Sequence, residues 1–226
     1  MKRSSHPMIF ELEKLFLENA SPKIAEGQAK YMKNLFPFLG IQKPQRAQIQ
    51  RLIFKKYPIK DESTLFCILQ ILWCKNEREF QYTACDLAEK YLKLCSEKAL
   101  NSFEKMIRNK SWWDTVDKIS SNLLGILLLN YPKFISLMDR WIEDPNLWIR
   151  RSALLYQLKY KTQTNEKKLF EYCQKLMHEK EFFIQKAIDW ALREYSKTSP
   201  ETVKFFIRNH SLSPLSQREG MKIINK

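Results

Sequence analysis

The sequence predicts an all-α fold, an α-α superhelix built as a solenoid of repeated helix pairs. Three observations carry that prediction. Only 4 glycines and 9 prolines occur in 226 residues, and a sheet protein of this size needs more turn residues than that. The stretches between them are rich in Leu, Lys, Glu, Gln and Ala, the residues that lose least freedom in a helix. Apolar residues also recur at helical spacing, as in Leu12, Leu15 and Phe16, or Leu65, Ile68, Ile71 and Leu72.

Boundary signals then divide the chain. Ser21-Pro22, Asp144-Pro145 and Ser199-Pro200 place a proline in a first helical turn behind a capping residue. Capping-box spacing is present at Asn76-x-x-Glu79, Ser111-x-x-Asp114 and Ser216-x-x-Glu219. These signals imply roughly twelve helices joined by short loops, the connection length of antiparallel helix neighbours. The whole chain, residues 1–226, reads as a single domain.

The chain also resembles itself. Trp148–Tyr160 aligns with Phe183–Tyr195 at an offset of 35, a further step back of 35 reaches Trp113, and 34 more reaches Glu79–Tyr91. One helix pair per ~35–45 residues marks HEAT-like or related α-solenoids. In such an array equivalent positions share one surface, so Trp113–Asp117, Arg150–Arg151 and Lys186–Arg193 are expected side by side on a concave face.

Charge narrows the partner. The 39 Lys and Arg against 25 Asp and Glu give a net charge of +14, which concentrates polyanions near the surface. Basic residues recur in most of the expected helices, a distribution suited to a nucleic-acid backbone. The basic start Met1–Ser5 is followed by Pro7 and then Glu11, Glu13 and Lys14, unlike a secretory leader. The most apolar run, Leu123–Leu129, is too short to span a bilayer. Five cysteines without a Cys-x-x-Cys pair read as reduced thiols, four of them in apolar helical stretches. These features together suggest a cytoplasmic protein with no membrane contact.

Other chemistries find little support. The glycines are isolated, so no phosphate-cradling loop is present. His6, His178 and His210 are scattered, which argues against a metal site, and no cofactor is expected. Trp113 and Asp117 are four apart and share one helix face. An indole beside a carboxylate suits a cationic, planar ligand. Trp190 could close such a site and Arg151 could hold a phosphate with its fork of donors. Residue by residue each has a duller explanation: core packing for Trp112 or Trp113, capping for Asp114, a surface ion pair for Asp117. The repeat register is what joins them.

These residues sit within stretches that resemble the AlkD family of bacterial HEAT-like-repeat DNA glycosylases over nearly the whole chain. The matching stretches are Tyr31-Met-Lys-Asn34, Phe38-Leu-Gly-Ile-Gln42, Glu77-Arg-Glu-Phe80, Lys110-Ser-Trp-Trp-Asp-Thr-Val-Asp117, Asn146-Leu-Trp-Ile-Arg-Arg151, and Glu181-Phe-Phe-Ile-Gln-Lys-Ala-Ile188 with Trp190 and Leu192-Arg-Glu-Tyr195. The resemblance implies a monofunctional glycosylase of base excision repair that acts without a cofactor on cationic alkylpurines such as 3-methyladenine and 7-methylguanine in duplex DNA. It places the catalytic aspartate on Asp117, two aromatic residues on Trp113 and Trp190, and a key arginine on Arg151. It also implies that the base is not taken into a pocket. The expected DNA contacts are Tyr31, Lys33, Gln42, Lys43, Arg46, Lys110, Arg150, Lys186 and Arg193. One departure stands out: paired arginines typically follow Gly40-Ile-Gln-Lys-Pro44, whereas this chain has Arg46 and then Ala47. The alternative reading is a non-catalytic DNA-binding paralogue on the same scaffold, and a third is a peptide-binding solenoid. A monomer is expected.

Overall fold

The computed structural model describes residues 6–210, and these divide into two compact units, one up to Ser96 and one from Glu97 onward. The Ser216–Glu219 capping spacing and the C-terminal segment Ser213–Lys226 lie outside the described residues. All regular structure among the described residues is helical, as the composition predicts.

The first unit contains α1 (Pro7–Glu18), α2 (Pro22–Tyr31), α3 (Lys43–Lys56), α4 (Glu62–Cys74) and α5 (Arg78–Lys90). Proline opens α2 behind Ser21 as predicted. Leu12 and Phe16 of α1 and Leu65, Ile68 and Leu72 of α4 are buried, so the apolar periodicity correctly marks the core. The Asn76–Glu79 capping box does not form: α5 starts at Arg78 with Glu77 at its N-cap. Glu79 instead turns inward, and its carboxylate accepts the backbone N–H groups of Leu39, Gly40 and Ile41 at 2.9–3.1 Å. That anion gathers three successive amides of the turn before α3, which would otherwise be buried without partners. Gly40 makes the turn possible, with φ +87° and its α-carbon so close to the Ser21 carbonyl that a Cβ would lie 2.1 Å from that oxygen. Glu79→Ala is expected to lower unfolding free energy by about 3 kcal/mol, given a penalty of roughly 1–3 kcal/mol for each buried donor left unmade; a urea melt checks it.

The second unit contains α6 (Ala99–Arg108), α7 (Trp113–Lys118), α8 (Gly125–Asn130), α9 (Ser136–Trp141), α10 (Leu147–Leu155), α11 (Glu166–Leu176), α12 (Phe182–Tyr195) and α13 (Pro200–Asn209). Thirteen α-helices are therefore described, against the twelve or so expected. A wide π-helical turn, Ile119–Leu124, joins α7 directly to α8. Here two more boundary signals fail. Ser111 does not cap α7, because its hydroxyl donates back to the Ile107 carbonyl and Trp112 takes the cap position. Asp144-Pro145 does not open α10; Asn146 caps it, accepting the Trp148 N–H at 2.9 Å.

The repeat register holds within this unit. Helix α10 packs against both α7 and α12, as the offset of 35 requires. Across the register, Ser120 donates to Ser152 at 2.8 Å and the Tyr160 hydroxyl donates to the Gly125 carbonyl at 2.6 Å. Gly125 lets these helices meet: a Cβ there would lie 2.3 Å from the Tyr156 carbonyl oxygen. Gly125→Ala must push the two backbones apart, and a loss of roughly 1–3 kcal/mol is expected from such overpacking, measurable as a lowered Tm.

All five cysteines are free. Cys85, Cys95 and Cys173 are buried, but Cys67 and Cys74 are exposed on α4, so the reading of four cysteines as small core hydrophobes is too generous for that helix. No described helix is long and apolar enough to cross a membrane.

Candidate active site

Asp117 sits at the end of α7, where the chain runs into the π-helical turn, one turn beyond Trp113 on the same helix. Its partner comes from α10. Arg151 donates from Nε to Asp117 Oδ1 at 2.7 Å and from Nη2 to Oδ2 at 2.8 Å, so both carboxylate oxygens are held in one plane by one fork. The remaining terminal nitrogen of Arg151 donates to the Phe183 carbonyl at the start of α12. Three successive register helices are thus tied together at one guanidinium. The side chains are 5% exposed for Arg151 and 14% for Asp117.

Burial pushes the Asp117 carboxyl above its ordinary value of 3.8, against the opposing pull of Arg151 and with a further upward push from Asp114. The ion pair keeps a charge in a place that solvent alone would not support. Such perturbed carboxylates cluster at working sites.

Beneath the pair lies an aromatic cluster that the sequence reading did not single out. The rings of Trp112, Trp148 and Phe183 meet in pairs, with centroids 5.4 Å apart for Trp112–Trp148 and 5.0 Å for each with Phe183. Trp148 and Phe183 are related by the offset of 35, but Trp112 lies 36 before Trp148, one residue off the register position that Trp113 occupies. Of the paired tryptophans, Trp112 joins this cluster. Trp113 is half-buried on α7. Trp190 is also half-buried, and lies on the α12 face that carries Phe183, two turns or about 10 Å farther along.

The nine residues expected to touch DNA divide between the units. In the first, Tyr31 is 71% exposed, and Lys33, Gln42 and Lys43 are also exposed. Arg46 is not. Its guanidinium lies 4.6 Å over the Tyr82 ring, with Nε 3.9 Å from Asp86, and the residue is 9% exposed. In the second unit Lys110 is half-buried in a left-handed conformation, φ +53°, just before α7. Arg150 is also turned to internal work, donating to the Asp144 carbonyl at 2.6 Å and to Glu179 at 2.9 Å. Lys186 lies 3.9 Å from the buried carboxylate of Asp189, and Arg193 is half-buried on α12. Arg46 and Arg150 are thus held by aromatic, carbonyl and carboxylate partners of this chain.

Comparison with known proteins gives the family. The family model described as DNA alkylation repair enzyme matches residues 12–224. The chain belongs to that family. A solved structure titled a predicted DNA alkylation repair enzyme from Enterococcus faecalis is similar over 92% of this chain and 97% of its own, at 34% identity and a TM-score of 0.85. AlkD2 from Streptococcus mutans shares the fold at 16% identity and a TM-score of 0.65, over 97% of this chain and 98% of its own. The protein smu.31 from Streptococcus mutans UA159 does so at 15% identity and a TM-score of 0.62, with the same coverage. No curated protein sequence matches the chain significantly.

Proposed function

We propose that the protein is a monofunctional DNA glycosylase, hydrolysing the N-glycosidic bond of cationic alkylpurines such as 3-methyladenine and 7-methylguanine in duplex DNA. In this reading it works as a monomer in the cytoplasm, as part of base excision repair. The observation that carries the reading is the fork by which Arg151 holds both oxygens of the mostly buried Asp117 carboxylate, one helical turn from Trp113.

The chemistry follows from the lesion. Alkylation at a ring nitrogen leaves the purine positively charged, so it departs readily and needs no acid to protonate it. When the C1′–N bond breaks, the bonding electrons go with the base, which becomes neutral, and positive charge passes to the sugar. A fixed carboxylate stabilises that charge, and does so best where water is scarce and no reorganisation is needed. Water then adds at C1′ and gives its proton to solvent. Asp117 is the carboxylate in this scheme, and Arg151 is the positioning residue that fixes its plane. Trp113 and Trp190 offer indole faces to the sugar and its developing charge.

The test is chromatographic detection of free bases after incubating the wild-type protein with methylated duplex DNA. Release of 7-methylguanine or 3-methyladenine above the enzyme-free rate, with abasic but unbroken strands, is the expected result. DNA binding without release would favour the non-catalytic paralogue.

A further inference from the structure

The helix that carries Asp117 does not run on as an α-helix. Residues Ile119–Leu124 form a π turn between α7 and α8, and the Gly125 N–H donates to the Ser120 carbonyl, five residues back. A π turn takes in one residue more than an α turn, and such turns recur at functional sites. Its effect here is geometric. Asp117 and Gly125 are eight residues apart, which would set them about 80° apart around a plain α-helix. One extra residue reduces that angle to about 20°, so both can face α10. They do: Asp117 meets Arg151, and Gly125 meets the Tyr156 carbonyl at the end of α10.

Two buried hydroxyls, Ser120 and Ser121, sit inside this turn. Ser120 Oγ lies 2.6 Å from the Val116 carbonyl oxygen and 2.8 Å from the hydroxyl of Ser152, the residue after Arg151. Ser121 donates to the carbonyl of Asp117 itself at 2.8 Å, with the Asn122 side-chain oxygen 2.9 Å away. A serine hydroxyl that bonds the carbonyl one turn back competes with the helix ladder and bends it. Two in succession therefore favour a widened turn at this place. We propose that Ser120 and Ser121 are positioning residues for Asp117, holding the π turn that aims its carboxylate at the Arg151 fork. Both act through Asp117 rather than on the sugar. Their effect on rate rests on the glycosylase reading above; their effect on the fork does not.

The experiment compares the wild type with Ser121→Ala, with the double variant Ser120→Ala, Ser121→Ala, and with Ser121→Thr, whose hydroxyl can bond the same carbonyl four residues back. Val203→Ala, a truncation in the core beneath α13, is the control for lost stability alone. Solvent exchange of the Arg151 Nε proton, followed by NMR without DNA and identified by its loss in Arg151→Lys, reports the fork directly. Single-turnover release of 7-methylguanine at saturating DNA reports the reaction. Both alanine variants should exchange that proton faster and release base roughly ten-fold more slowly or worse, since a misplacement of about 1 Å can cost on the order of 10²-fold. Ser121→Thr should restore both readouts, and Val203→Ala should keep the wild-type values despite a lower Tm. Folded alanine variants with wild-type exchange and rate would overturn the proposal, as would a Val203→Ala protein that loses as much. If thermal melts show that the double variant does not fold, Ser121→Ala alone carries the comparison. Faster exchange in the alanine variants of a protein that releases no base rejects the glycosylase reading and leaves the positioning role standing. Base release with unchanged exchange rejects the positioning role alone.

Discussion

Asp117→Asn is expected to lower the single-turnover rate of base release by on the order of 10²-fold or more, the scale seen when one fixed electrostatic group is removed from a reacting centre. Asparagine keeps an acceptor for Arg151 but carries no charge to face the sugar cation. DNA affinity should stay within a few-fold of the wild type, because phosphate contacts elsewhere dominate it. Asp117→Ala should be at least as impaired. Retention of near-wild-type release in both variants, with folding verified by near-UV circular dichroism, would remove Asp117 from the mechanism.

Arg151→Ala has the largest expected effect on stability. It leaves the Asp117 carboxylate, 14% exposed, without its countercharge, and removes the donor to the Phe183 carbonyl that ties α12 to the same guanidinium. Breaking one side of a buried pair costs about 3–5 kcal/mol, which corresponds to a fall in Tm of roughly 10 °C for a chain of this size. With the fork gone, burial and the nearby Asp114 act unopposed on Asp117 and its carboxyl rises further, so any residual activity should need a higher pH. Arg151→Lys restores the charge but not the second parallel hydrogen bond, and should fall between wild type and alanine in both Tm and rate. An Arg151→Ala protein with wild-type Tm would contradict the proposed energetics.

The sign of the stability effect at Asp117 can be stated separately. Its folded-state carboxyl is raised above 3.8, so the folded protein holds that proton more tightly than the unfolded chain. The contribution of Asp117 to stability is therefore largest below the ordinary carboxylate value and is lost as pH rises through the raised one. At neutral pH the charge opposes folding, which is tolerable at a site that needs a carboxylate.

Much of this was legible in the sequence, and its failures have physical causes. Helical periodicity and the 35-residue offset located the stacked helices and brought Trp113, Asp117 and Arg151 to neighbouring elements, because a repeat fixes which helices are adjacent. Capping spacings were less informative. Asn76–Glu79 and Ser111–Asp114 have the right residues, but Glu79 is recruited by three amides nearly forty positions away, and Ser111 by the carbonyl one turn earlier. Neither alternative is local enough for a four-residue pattern to exclude. Charge counts had the same weakness. They cannot tell Arg46, folded onto Tyr82, or Arg150, tied to Glu179, from Arg51, which is exposed on α3.

The most direct test of the central claim, that an ionised and mostly buried Asp117 carries the reaction, is the pH profile of single-turnover base release from a 7-methylguanine duplex, corrected for the enzyme-free rate. The account predicts an acid limb with its midpoint above 3.8, the value the carboxyl would have in water. It also predicts that the limb is absent from the slow residual release of Asp117→Asn. A limb that persists unchanged in Asp117→Asn, or a wild-type rate that stays level as pH falls through the whole carboxylate range, would contradict it.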